Sequence, residues 1–141
     1  MATANVYANF FANAFNGNLP DIEDDDNLEC MLLDENHSFS ETNNTVDDIS
    51  ANEITDEDYS RQTLTGVTVN RSTGTITVDA DDISFGTEVS ITASHAVIYT
   101  VGTDDTDSYL LFDVDFESEQ ESVDGEFTLE IYEDGLFDVV T

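Results

Sequence analysis

Apolar residues along this chain follow two different periods. Over residues 3–16, Val6, Tyr7, Phe10, Phe11, Ala14 and Phe15 recur at helical spacing, which predicts an amphipathic N-terminal helix. Thr3 is placed to cap it and Asn16-Gly17 to stop it. Asn5, Asn9 and Asn13 fall on the opposite face. Asparagine is a poor helix former, so docking of the aromatic face, rather than propensity, must hold the helix. After Pro20 an acidic linker occupies 21–27, and the run Leu28-Glu29-Cys30-Met31-Leu32-Leu33 predicts a buried strand. A loop through His37 and Phe39 follows, then one or two short helical turns over 45–54.

From Thr63 onward the period becomes two, the mark of strands whose alternate side chains face a core. Val67 and Val69 match Ile76 and Val78 across the turn Asn70-Arg71-Ser72-Thr73-Gly74, which predicts a hairpin. Further strands are predicted at 83–85 and from 89 to 100, on either side of Gly86. The later one reads as central because Ala96 and Ile98 on one face, and Val97 and Tyr99 on the other, are all nonpolar or aromatic. Leu110, Phe112, Val114 and Phe116 alternate with Leu111, Asp113 and Asp115, and Phe127, Leu129 and Ile131 alternate with Thr128, Glu130 and Tyr132. Both read as half-buried strands with wet acidic faces. Acidic loops are predicted at 104–107 and 117–124, and Leu136-Phe137 as a closing edge. The fold class is therefore mainly β: an antiparallel β-sandwich or small barrel over 28–141, with the 3–16 helix packed against it, in one domain of 141 residues. No internal repeat is visible.

Composition then asks whether such a chain folds at all. It carries 33 Asp and Glu against two cations, Arg61 and Arg71, with no lysine, for a formal charge of −31. Strong charge with few large apolar residues gives disorder. Here, however, 38 residues are Leu, Ile, Val or Phe, about 27% of the chain and above the roughly 20% below which disorder is expected. A core can form. On a sphere of roughly 19 Å radius, −31 charges repel one another by on the order of 30 kcal/mol at 0.15 M salt and about half that at 1 M. The unfolded chain repels itself too, but even part of this rivals the ~5–15 kcal/mol that stabilises a domain. The fold should need salt. Adaptation to molar salt explains a surface that replaces Lys with Asp and Glu. A DNA mimic aimed at a nucleic-acid-binding partner and a calcium-loaded module are the competing readings of the same acidity.

Candidate chemistry is sparse. Cys30 is the single cysteine, which excludes an internal disulfide, and its apolar neighbours make it a buried small hydrophobe. The N-terminus has neither the basic residues nor the long apolar run of a secretory signal, and nothing approaches the ~18 apolar residues of a membrane span. His37 and His95 stand far apart without HxxxH or CxxC spacing, so no metal site is predicted. His95 reads as a hydrogen-bonded, partly buried imidazole within its strand. Triads can be drawn on paper from Ser94, Cys30, His37 and any of many aspartates. No Gly-x-Ser-x-Gly elbow or glycine-rich phosphate loop supports them, so no catalytic residue and no cofactor is assigned, and the chain reads as non-enzymatic. Asp24-Asp25-Asp26, Asp79/Asp81/Asp82 and Asp104/Asp105/Asp107 lack EF-hand spacing and read as solvated loops. Two arginines cannot neutralise enough phosphates for direct nucleic-acid binding.

Several segments, taken in order, carry a resemblance. They are Asn5-Val6-Tyr7-Ala8-Asn9-Phe10, Cys30-Met31-Leu32-Leu33, Glu53-Ile54 with Asp58-Tyr59 and Thr63-Leu64, and Asp79-Ala80-Asp81-Asp82-Ile83-Ser84-Phe85. Ala93-Ser94-His95-Ala96-Val97-Ile98-Tyr99, Val114-Asp115-Phe116 and Gly125-Glu126-Phe127-Thr128-Leu129 near Gly135-Leu136-Phe137 continue the series. Together they resemble a family of small virion structural proteins of tailed phages and haloarchaeal tailed viruses, encoded in head and tail modules. The chain departs from that pattern in lacking any Trp and in having Asp58-Tyr59-Ser60-Arg61-Gln62 where the family has a glycine-rich step. The resemblance implies a particle protein made in the host cytoplasm and carried in the virion. Its partners would be other virion subunits, a major capsid protein or tail proteins, and further copies in a homo-oligomer. Capsid decoration, a tail or baseplate role in adsorption, and an acidic DNA-mimic inhibitor are the functions to be distinguished.

Overall fold

The computed structural model describes residues 2–132 and 137–141. In chain order the elements are β1 (Thr3–Val6), α1 (Ala8–Phe15), β2 (Leu28–Leu33), β3 (Gln62–Thr63), β4 (Thr68–Ser72), β5 (Thr75–Asp79), β6 (Ile83–Ser84), β7 (Val89–Thr100), β8 (Leu110–Gly125), β9 (Thr128–Ile131) and β10 (Phe137–Val140). Short 3-10 turns at Val46–Asp48 and Ser50–Asn52 lie between β2 and β3. All strand pairs are antiparallel. A five-stranded sheet runs β1-β8-β7-β2-β3, a three-stranded sheet β10-β9-β6, and β4-β5 form a separate hairpin. The mainly β class follows, and separate sheets facing a common core make it sandwich-like rather than a closed barrel.

β7 is the middle strand of the large sheet, as its two apolar faces predict. One face carries Leu28, Cys30 and Leu32 of β2, Ala96 and Ile98 of β7, and Val114 and Phe116 of β8. These pack against Ile83, Phe127, Leu129 and Phe137 of the three-stranded sheet and its connection. Each such large side chain contributes roughly 1.5–3 kcal/mol when fully buried. The other face carries Tyr7, Met31, Leu33, Val97, Tyr99 and Leu110, covered by Val46, Ile49 and Phe39. Segment 34–61 thus lies over this second face, tied down at both ends: Leu33 bridges Glu53, Thr45 bridges Tyr109, and Val46 N–H donates to the Ser108 carbonyl at 2.9 Å.

Residues 3–16 are not one helix, because Thr3–Val6 pair with β8 in the register Thr3↔Asp115 to Val6↔Phe112. The sheet therefore takes in residues ahead of position 28. Thr3 is no cap; its hydroxyl donates to Glu117, and Tyr7 stands at the helix N-terminus. The aromatic face does not dock as a unit. Tyr7 is buried while Phe11 and Phe15 are 52% and 87% exposed. The inward polar residue is Asn13, whose side-chain amide donates to Asn44 Oδ1 at 2.8 Å.

Residues 117–124 are not a loop but the second half of β8, reached through a wide bulge between Ala93/Gln120 and His95/Asp115, with Glu117 at φ 64°. A second bulge sets Ile98 opposite Phe112 but Tyr99 opposite Leu110. The extra residue, Leu111, shifts the alternation, so Leu110 belongs to the second face while Leu111 joins Val114 and Phe116 on the first. In the hairpin Val69 pairs with Val78, but Arg71 pairs with Ile76 around a tight Thr73-Gly74 turn; Val67 is buried in the core instead. Gly74 at φ 75° takes the left-handed conformation this turn requires. Of the predicted closing edge, Leu136 lies outside the described residues, and Phe137 opens β10.

Candidate functional site

Asp113 is the largest departure from the sequence reading. The alternation along β8 places it on a wet face, yet it is 0% exposed, and among the described residues it is the single buried carboxylate. Segment 34–61 explains this, because it covers the sheet face onto which Asp113 points. His37 comes from that segment, His95 from β7, and Tyr7 from the step between β1 and α1, all buried. His37 Nε2 lies 2.6 Å from Asp113 Oδ2, His95 Nδ1 lies 3.0 Å from Oδ1, and the Tyr7 hydroxyl lies 3.3 Å from Oδ2. The two imidazole rings meet edge to face with centroids 4.8 Å apart.

An ionised carboxylate can only accept, so both histidines must present N–H to it: His37 as the Nε2–H form and His95 with a proton on Nδ1. Burial works to raise the Asp113 carboxyl, but the hydrogen bonds from His37 and then His95 outweigh it and hold it below the usual carboxylate range. Burial likewise opposes charging His95, and the hydrogen bond and charge of Asp113, helped by Asp115, overcome it and raise this imidazole above its ordinary value. Burial first, then the Asp113 charge, push the Tyr7 phenol up, so it stays a donor. The net result is a buried anion held by three donors from three parts of the chain.

The fold closes the sequence separation between His37 and His95 that argued against a shared site. With Asp113 they form a group whose ligand-capable atoms all lie within 4.8 Å of one another. The other paper constellations do not assemble. Cys30 packs in the core on the opposite face of the sheet, and burial pushes its thiol up, which leaves it unreactive. Ser94 sits at the bulge in β7 and makes no hydrogen bond to either histidine among the described residues.

The aspartate clusters act as loop acceptors. Asp81 Oδ2 accepts from the Thr65 hydroxyl, Asp82 Oδ1 from Ile131 N–H, Asp104 Oδ1 from Thr106, and Asp107 from Asp104 N–H and Thr103. Asp48 accepts from Asn44 and Thr45 N–H at 2.8 and 3.0 Å, and these bonds hold it below the usual range.

A second polar knot fastens the covering segment. Arg61 makes two bonds to Glu53, two to Asp105, and stands 5.6 Å over the Tyr99 ring. Tyr59 also donates to Glu53 and accepts from Leu32 N–H. In the sequence nothing but its charge marks Arg61 as the centre of this knot. Asp113 was visible only as a member of an alternating strand. The available signal was that the chain's histidines include one on the central strand, where the neighbouring strand supplies a carboxylate. Comparison of the chain with protein-family models, with curated proteins and with solved structures finds no match.

Proposed function

We propose that this chain is a structural subunit of a haloarchaeal tailed-virus particle, carried on the head surface and adapted to concentrated salt. The observation that carries the reading is the disposition of charge. Among the described residues every Asp and Glu except Asp113 reaches solvent, so in a chain of formal charge −31 these carboxylates form an outer coat around a sandwich-like core. Such a coat stays hydrated where ordinary surfaces salt out, and dense salt screens its self-repulsion. The resemblance of the ordered segments from Asn5 to Phe137 to small virion proteins points the same way.

Apolar side chains left at the surface give a particle protein something to seat. Val6 and Ile76 are 42% and 72% exposed and flank a groove of about 270 Å³ between β1 and β5, floored by Val78, Phe112 and Phe137. β1 is an outer strand of its sheet, and such edges are places where another chain adds.

Mass spectrometry of purified particles tests the proposal. Head decoration predicts hundreds of copies per particle, and a tail or baseplate part a few. Absence from particles, together with recovery on a nucleic-acid-handling enzyme, overturns it in favour of a DNA mimic.

A further inference from the structure

We propose that His37, His95 and Asp113 form a binding site for one divalent zinc-type metal ion, which clamps segment 34–61 onto the five-stranded sheet. Two imidazoles and a carboxylate are the donor set that first-row ions such as Zn²⁺ take, with a remaining position for water. Here the three donors come from three separate parts of the chain, are all buried, and converge within 4.8 Å. Around a tetrahedral ion with bonds of about 2.0 Å, neighbouring donors stand about 3.3 Å apart. The contacts of 2.6 and 3.0 Å to Asp113 must therefore open slightly and the widest donor separation, up to 4.8 Å, must close, and His37, on a segment without regular strand structure, can move most easily.

The ion takes the places of the protons on His37 Nε2 and His95 Nδ1, which pass through solvent to Nδ1 of His37 and Nε2 of His95. Neither of those outer nitrogens has a hydrogen bond among the described residues, and no buried side-chain nitrogen or oxygen lacks a partner, so both meet water. Both imidazoles stay neutral, as metal ligands must be. A doubly protonated His95 would release one further proton. Asp113 carries a full negative charge into the site, and Asp115 lies opposite His95 across the strand pair, so a dication enters a strongly favourable field. The surface carboxylates offer only hard oxygens, which suit Mg²⁺ or Ca²⁺; imidazole nitrogen distinguishes this site from all of them.

The test uses the full chain in about 2 M salt, where self-repulsion is screened, with excess Mg²⁺ to occupy surface carboxylates. One equivalent of Zn²⁺ should survive dialysis. Co²⁺ in its place should give the intense visible bands of a four- or five-coordinate, nitrogen-ligated ion. His37→Ala and His95→Ala should each weaken Zn²⁺ retention by more than the roughly 10–100-fold that loss of a supporting residue costs. Displacement of Zn²⁺ by Mg²⁺, equal retention by both folded variants, or the pale spectrum of hydrated octahedral Co²⁺ overturns the proposal. Should either variant fail to fold by circular dichroism, the wild-type Co²⁺ spectrum decides alone. The site stands on its own geometry, so its failure leaves the particle assignment where it was, and the reverse.

Discussion

The two halves of β8 handle negative charge in opposite ways. Between Leu110 and Phe116 the strand is paired with β1 on one side and β7 on the other, covered on both faces, and carries one of its two carboxylates, Asp113, fully inward, the other being the partly exposed Asp115. From Glu117 to Gly125 the strand stands largely in water, with Glu117, Glu119, Glu121 and Asp124 exposed and Ser122 alone buried. In the first half the protein itself supplies the partners, His37, His95 and Tyr7. In the second the counter-charge must come from the solvent. One strand therefore holds a carboxylate that mutation should damage and salt should barely touch, followed by carboxylates for which the reverse holds.

Breaking the inner half gives the largest effect. Asp113→Ala leaves two buried imidazoles without their acceptor and should cost about 3–5 kcal/mol, as removal of one member of a buried pair does, by denaturant unfolding in 2 M NaCl. The same change in a His37→Ala/His95→Ala background should cost far less, because the three act as one network. Phe127→Ala, on the dry side of the same sheet, should cost a similar ~3–5 kcal/mol through its cavity, with no such rescue. Equal losses for Asp113→Ala in both backgrounds would show that the network is not coupled.

The Arg61 knot sits between the extremes, since Arg61 and Asp105 side chains are 26% and 39% exposed. Arg61→Gln should cost only about 1 kcal/mol. The bond from Arg61 holds the Asp105 carboxyl below its usual value, against a smaller opposing effect of burial. A depressed carboxyl stabilises the fold above its unfolded pKa of about 3.9 and loses that contribution as pH falls through the folded value. The gap between wild type and Arg61→Gln should therefore narrow below about pH 3.9. At the outer end, Glu119→Gln with Glu121→Gln should lower the NaCl concentration needed to fold the chain and change nothing in 2 M NaCl.

Strands were legible where the local pattern is strong: the apolar runs Leu28–Leu33 and the centre of β7 are buried, and Thr128–Ile131 is a strand where alternation puts one. Where long-range pairing decides, the pattern misled. The partners of Thr3–Val6 lie across the whole chain at Phe112 to Asp115, and nothing in a helical spacing of aromatics reveals them. Asp113 looked wet because alternation reports one strand at a time, whereas its burial is caused by a segment without regular strand structure. The Leu111 bulge, which decides which face each residue joins, has no signature beyond the adjacent Leu110-Leu111 pair. The meeting of His37, His95 and Asp113 was invisible for the same reason, because they come together through the fold and not at a fixed spacing along one element.

The outer carboxylate coat requires screening by salt for the chain to fold. Far-UV circular dichroism of the purified chain, followed as NaCl is lowered from about 2 M to about 0.1 M, tests that most directly. The predicted result is a cooperative loss of β signal at low salt that returns when salt is restored. An unchanged spectrum with the same thermal midpoint at both concentrations would contradict it.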